Sequence, residues 1–133
     1  MLRVDYICSM SKNMSFVYAL SYNENVFYIG ITCNLKRRYK THINKYTGLP
    51  VSVYIQELIT RGNVPIMKPL CYLPKAQAHI KESEIIRLFT KSGHKLLNDL
   101  HLYIPQWKYE RLPQIINKSN MINYLEEFQN QYE

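Results

Sequence analysis

The sharpest change in hydrophobic patterning falls early in the chain. FVYALSY (16–22) and VFYIGIT (26–32) are rich in β-branched and aromatic residues, and Asn23, Glu24 and Asn25 between them are turn formers. The pattern predicts a β-hairpin with a three-residue loop. Such a loop pairs residues of like parity, so Tyr18 faces Gly30 and Leu20 faces Tyr28. Side chains alternate along a strand, which puts Tyr18, Tyr28 and Gly30 on one side of the ribbon. A two- or four-residue loop would put the two tyrosines on opposite sides.

The period then becomes helical. Asn34 is a candidate N-cap, and LKRRYKTHINKY (35–46) carries a stripe of Leu35, Tyr39, Ile43 and Tyr46. Arg38 and His42 are four residues apart on the neighbouring stripe and point the same way. Gly48, Leu49 and Pro50 break the pattern. SVYIQELITRG (52–62) is apolar at 54, 55, 58 and 59, which predicts a second amphipathic helix ended by Gly62. VPIMKPLCYL (64–73) is apolar and extended, and its two prolines confine it to an edge or bulged strand.

KAQAHIKESEIIRLFTKSG (75–93) predicts a third helix closed by Gly93, with Ala78, Ile85, Ile86 and Phe89 on its apolar positions. Glu82 sits on or beside that inward face, where a lone carboxylate is costly unless something neutralises it. Glu84 points away and reads as a solvated charge. HKLLN (94–98) is a short apolar segment ending in Asn98. Residues 99–133 read as a helical extension, with Pro113 in a first turn and Ile115, Ile122, Leu125 and Phe128 able to dock on the sheet or on a partner chain. Residues 1–15 show no period, and Met10 and Met14 are both candidate alternative starts. The chain thus divides into an extension (1–15), a central domain (16–98) and a C-terminal extension (99–133).

Composition narrows the function. With 133 residues, 47% of them hydrophobic, the chain suits one compact domain with a real core. No apolar run approaches the ~20 residues of a membrane-spanning helix, so no membrane role is expected. The first 15 residues lack an apolar stretch followed by a small-residue cleavage site, so no secretory signal is expected. Cys8, Cys33 and Cys71 form no CxxC pair, which argues against a disulfide framework or a zinc site and fits a reducing compartment: the cytoplasm, or the nucleus of a eukaryote. Seventeen Lys and Arg against ten Asp and Glu leave a net charge of +7, a surplus that favours a polyanionic partner such as nucleic acid.

The elements converge on one constellation: Tyr18, Tyr28-Ile29-Gly30, Arg38, His42, Glu82 and Asn98. In order and spacing this resembles the GIY-YIG nuclease superfamily. Val17-Tyr18 stands for the end of the GIY element, and YIG is intact at 28–30. YIGITCNLKRRYKTH resembles the family's segment from YIG into its helix. KESEIIRLFTKSGHKLLN resembles its glutamate helix and following asparagine. The resemblance covers residues 16–98. It implies an α/β (α+β) domain with a three-stranded antiparallel sheet flanked by helices, and metal-dependent cleavage of DNA with Mg²⁺ or Mn²⁺.

Phosphodiester hydrolysis needs an activated water, charge neutralisation in the transition state and help for the departing 3′-oxygen. Glu82 is the one carboxylate the pattern turns inward, so it is the expected metal ligand. A hard carboxylate suits Mg²⁺, which keeps most of its waters. Arg38 offers a permanent planar cation able to clamp two phosphate oxygens. Tyr18 is preferred as the base and Tyr28 as the group that orients water or phosphate, a choice the sequence alone does not force. A phenol titrates near 10, so close cations would have to favour its phenolate. His42 relays a proton or binds phosphate. Asn98 is expected to hold Glu82 or a tyrosine, and Gly30 to let backbone approach the substrate.

Two positions depart from the family pattern: Phe16 replaces the glycine of GIY, as a packing anchor or an obstruction, and Ile31 removes one phosphate contact seen in some members. HxxE at His79 and Glu82 lacks the second histidine of a metalloprotease helix. Lys36, Arg37, Lys40 and Lys45 cluster with Arg38 and are expected to track the phosphate backbone. No dedicated base reader follows, so target choice falls to the C-terminal extension, to a homodimer, or to DNA shape such as flaps and branches. The competing readings are a degenerate domain that binds nucleic acid without cutting it, and a protein-interaction subunit.

Overall fold

A computed structural model describes residues 14–98 and 118–132. β1 (Met14–Tyr22) and β2 (Asn25–Thr32) form the hairpin; α1 (Leu35–Asn44), α2 (Pro50–Thr60), β3 (Ile66–Pro74), α3 (Lys75–Lys91) and α4 (Lys118–Asn130) follow. The strands form one antiparallel sheet in the order β2-β1-β3. The fold is α+β, as expected. The segment before Met14, Pro113 and Ile115 lie outside the described residues.

Tyr18 does pair with Gly30, and Leu20 with Tyr28. The route to that register differs from the expectation. The turn has two residues, Asn23 and Glu24, with φ of 52° and 68°, the positive angles that suit the twist of a tight hairpin. A bulge follows at once: Ser21 faces Val26 while Leu20 faces Tyr28, so Phe27 is the additional residue. One extra residue flips the parity back, and both tyrosines return to one face.

β3 is an edge strand and also bulged, as its prolines require. Val17 faces Cys71 and Tyr18 faces Pro69, which makes Leu70 the extra residue. The opposite edge of the sheet is covered by residues 94–98. Leu97 N donates to the Phe27 carbonyl (2.6 Å), Val26 N donates to His94 Nδ1 (2.9 Å), and Lys95 N donates to Asn25 Oδ1 (3.2 Å). The first two bonds occupy backbone groups of β2 that an open edge would offer to another chain.

β1 is buried on both sides, and its alternation sorts the core in two. Phe16, Tyr18 and Leu20 pack with Leu35, Tyr39 and Ile43 of α1, with Tyr54, Ile55 and Leu58 of α2, and with Met121 and Leu125 of α4. Val17, Ala19 and Ile29 pack against Ala78, Ile85, Ile86 and Phe89 of α3. Helix α1 starts where Asn34 Oδ1 accepts from Arg37 N (2.9 Å). It ends at Asn44, so Tyr46 does not continue the buried stripe and is 64% exposed. Pro50 opens α2 at a first-turn position, where its missing N–H leaves nothing unsatisfied.

The C-terminal helix shares the first core. Ile122, Leu125 and Phe128 all pack there, joined by Met121. Phe16 is the anchor: its ring lies 4.5 Å from Tyr72, 5.5 Å from Tyr132 and 6.2 Å from Phe128, centroid to centroid. The bulky ring therefore packs toward α4 and does not obstruct the tyrosine pair. Ile31 is half-buried against the second core.

Candidate functional site

The hairpin and α1 meet over the even-numbered face of β1. Tyr18 projects from that face, and His42 comes from the last turn of α1, held there by buried Leu35, Tyr39 and Ile43. The Tyr18 hydroxyl and His42 Nε2 share a hydrogen bond of 2.8 Å. Tyr28 completes the cluster, its ring centroid 5.4 Å from His42 and 6.3 Å from Tyr18. Tyr39 fixes the helix from below by donating its hydroxyl to the Pro65 carbonyl (2.8 Å). Gln56 Nε2 donates to the Ile43 carbonyl (2.9 Å), tying the end of α1 to α2.

The electrostatics bring in the remaining groups. Burial pushes the Tyr18 phenol far up, Tyr28 and Glu82 push it further, and only the Arg38 guanidinium acts in the opposite sense. Burial first, and then the Arg38 charge, lower His42 to about 4. Both hydrogen-bonded partners are therefore neutral at pH 7. Glu82 is half-buried on α3, the helix that sends Ala78, Ile85 and Ile86 into the second core, while Glu84 is exposed and reaches Lys81 at 3.6 Å. Tyr28, Arg38 and Glu82 thus all bear on Tyr18, and Arg38 also bears on His42; the five residues come from four elements, β1, β2, α1 and α3.

Asn98 does something different from what was expected. Its Oδ1 accepts from Ile29 N (3.0 Å) and its Nδ2 donates to the Ile29 carbonyl (2.6 Å). It grips the peptide between Tyr28 and Gly30, in the manner of a neighbouring strand, and these bonds reach neither Glu82 nor a tyrosine ring. The tyrosine strand is positioned through its backbone.

Gly30 has a packing role as well. A Cβ at this position would lie 2.5 Å from the Tyr18 hydroxyl oxygen and 2.6 Å from its Cζ. The missing side chain makes room for the cross-strand phenol. Among the expected phosphate contacts, Lys36 is bound to Glu126 of α4 at 2.8 Å, and Arg37 Nη2 lies 4.0 Å from Cys33 Sγ. Lys40 and Lys45 are exposed.

Among the described residues no group of three or more His, Cys, Asp and Glu side chains could hold a metal ion. A cage built wholly from such side chains is thus not formed there. A single inward carboxylate still fits Mg²⁺, which binds through one or two carboxylates and keeps its waters.

A family model, the GIY-YIG catalytic domain, matches residues 14–63. That segment spans β1, β2, α1 and α2 and holds Tyr18, Tyr28, Gly30, Arg38 and His42; Glu82 and Asn98 lie beyond it. No curated protein and no solved structure matches the chain. The three-stranded antiparallel sheet with its helices is an α+β arrangement consistent with the GIY-YIG fold, and the matched family is one of nucleases that act on DNA. No helix among the described residues is long and apolar enough to cross a membrane.

Proposed function

We propose that this protein is a metal-dependent DNA endonuclease that hydrolyses phosphodiester bonds at the Tyr18, Tyr28, Arg38, His42 and Glu82 cluster. The observation that carries the reading is the 2.8 Å contact between a buried phenol and a neutral imidazole, within the field of both a guanidinium and a carboxylate. A structural tyrosine needs no such company.

With the imidazole protonated at Nδ1, Nε2 accepts the Tyr18 proton. The phenol oxygen can then take a proton from the attacking water while its own passes to His42. At rest, burial opposes charge on both groups, and Arg38 opposes it on His42. A phosphate brought in by Arg38 offsets the guanidinium and favours the imidazolium, so substrate itself raises the basicity of the pair. Arg38 pairs with phosphate oxygens and stabilises the negative charge that builds in the transition state. Tyr28, half-buried at the same site, orients water or phosphate. Glu82 is the group that would hold Mg²⁺ or Mn²⁺, which supplies Lewis acidity and lowers the pKa of a bound water.

The test is a cleavage assay on linear, branched and single-stranded DNA with Mg²⁺, with Mn²⁺ and with chelator. Cutting that needs the cation supports the reading. Cutting that persists in chelator removes the metal dependence. Tight DNA binding with no cutting under any condition would favour the alternative, a non-catalytic nucleic-acid-binding domain.

A further inference from the structure

Helix α4 reaches the two elements that the Tyr18–His42 contact depends on. It rests on the Phe16 ring, two residues before Tyr18 on the same face of β1. It also touches the start of α1, the helix that carries Arg38 and His42. There Gln129 Oε1 accepts a hydrogen bond from Leu35 N at 2.6 Å, across 94 residues of sequence. Gln129 is 8% exposed, so the bond is sheltered from water.

The first N–H groups of any α-helix lack partners within it. Asn34 satisfies Arg37 N by the ordinary local cap. Leu35 N is satisfied from outside the helix, by a side chain of α4. Lys36, next along, pairs with Glu126 one turn earlier on α4. That pair is partly exposed and contributes little by itself. The buried amide is the stronger tie, because loss of one partner leaves a buried donor unsatisfied.

We propose that Gln129 is a positioning residue: by holding the first amide of α1 it sets where that helix presents Arg38 and His42 to Tyr18. The C-terminal helix is then part of the reacting centre's support. This rests on the nuclease reading for its activity arm, and on geometry alone for its second arm.

The test uses the full chain with Gln129→Met, which keeps length and loses the acceptor, and Gln129→Glu, which keeps an acceptor at a helix N-terminus where negative charge is welcome. Cleavage kinetics and the NMR titration of His42 are measured on each. Gln129→Met is expected to lower kcat about tenfold with KM for DNA little changed, since a small misplacement acts on the reacting geometry first. Its His42 midpoint should rise from about 4 toward the ordinary histidine range as the ring leaves its buried contact. Gln129→Glu should restore both. A folded Gln129→Met protein with wild-type kcat and an unmoved His42 would overturn the proposal, and so would equal losses in the Met and Glu variants. If Gln129→Met does not fold, Gln129→Asn, which withdraws the amide by one methylene, takes its place with the same outcomes. If the parent protein cuts no DNA, the nuclease reading fails by itself, and the His42 titration still judges Gln129.

Discussion

Gly30 lies directly across the hairpin from Tyr18, and the phenol fills the volume that any side chain at 30 would need. The nearest atom to a Cβ there is the hydroxyl oxygen that bonds His42, at 2.5 Å. Tyr18 is 1% exposed and ringed by core residues, so it has little room to yield. Gly30→Ala should therefore displace the hydroxyl and break its bond to His42. Overpacking of this kind typically costs about 1–3 kcal/mol. Chemical denaturation should show that loss, and cleavage should fall with it; a variant of unchanged stability and rate would contradict the geometry.

His42 makes stability depend on acid. Its pKa is lowered to about 4 in the folded protein, against an ordinary histidine value of 6.5. The unfolded chain therefore takes up a proton first as pH falls. Stability is fully present above ~6.5 and is lost between there and ~4, by an amount of order 3 kcal/mol. Denaturation midpoints at pH 7.5, 6, 5 and 4 test this, with His42→Asn as the control that should flatten the slope. An equal slope in that variant would assign the effect to other groups.

Asn98 should matter for folding more than its place in a loop suggests. Replacing it with Ala leaves the Ile29 N–H and carbonyl without their Asn98 partner, at a cost of about 1–3 kcal/mol. Asn98→Asp should fare no better, because a carboxylate keeps the acceptor for Ile29 N but faces the Ile29 carbonyl with no donor. Urea titrations of both variants measure this. If Asn98→Asp matches wild type, the donor half of the grip is unimportant.

Phe16→Ala should loosen the C-terminal helix. The ring touches Tyr72, Phe128 and Tyr132, and its removal opens a cavity worth about 3–5 kcal/mol. Hydrogen exchange at the Leu35 amide should speed up with it, since the acceptor for that amide sits on α4. Slow exchange retained in a destabilised Phe16→Ala protein would separate the anchor from the cap.

Much of this was legible in the sequence, because the signals were local. Alternation marked the hairpin, Asn34 the start of α1, the prolines the edge strand, and the position of Glu82 against Ile85 and Ile86 its inward face. The tyrosine register follows from a three-residue loop, but the structure reaches it with a two-residue turn and a bulge. The sequence carries no mark by which Phe27 can be read as a bulge residue, although that extra residue offsets the shorter turn. Long-range polar contacts were the least legible. Nothing near Asn98 points to the Ile29 peptide, and nothing near Gln129 points to Leu35, because a side-chain amide can serve any exposed backbone group it meets. That Gly30 leaves its volume to the Tyr18 ring depends on the cross-strand register, which the glycine itself does not reveal.

The most direct test compares DNA cleavage and DNA binding in the parent protein, Glu82→Gln and Arg38→Ala, side by side in Mg²⁺. The expected result is that Glu82→Gln still binds DNA but no longer cuts, and that Arg38→Ala cuts ~10²-fold or more slowly, as for loss of a charge that meets the transition state. Cleavage at the parental rate by either variant would show that these groups, though both bear on the charge state of Tyr18, are not the reacting centre.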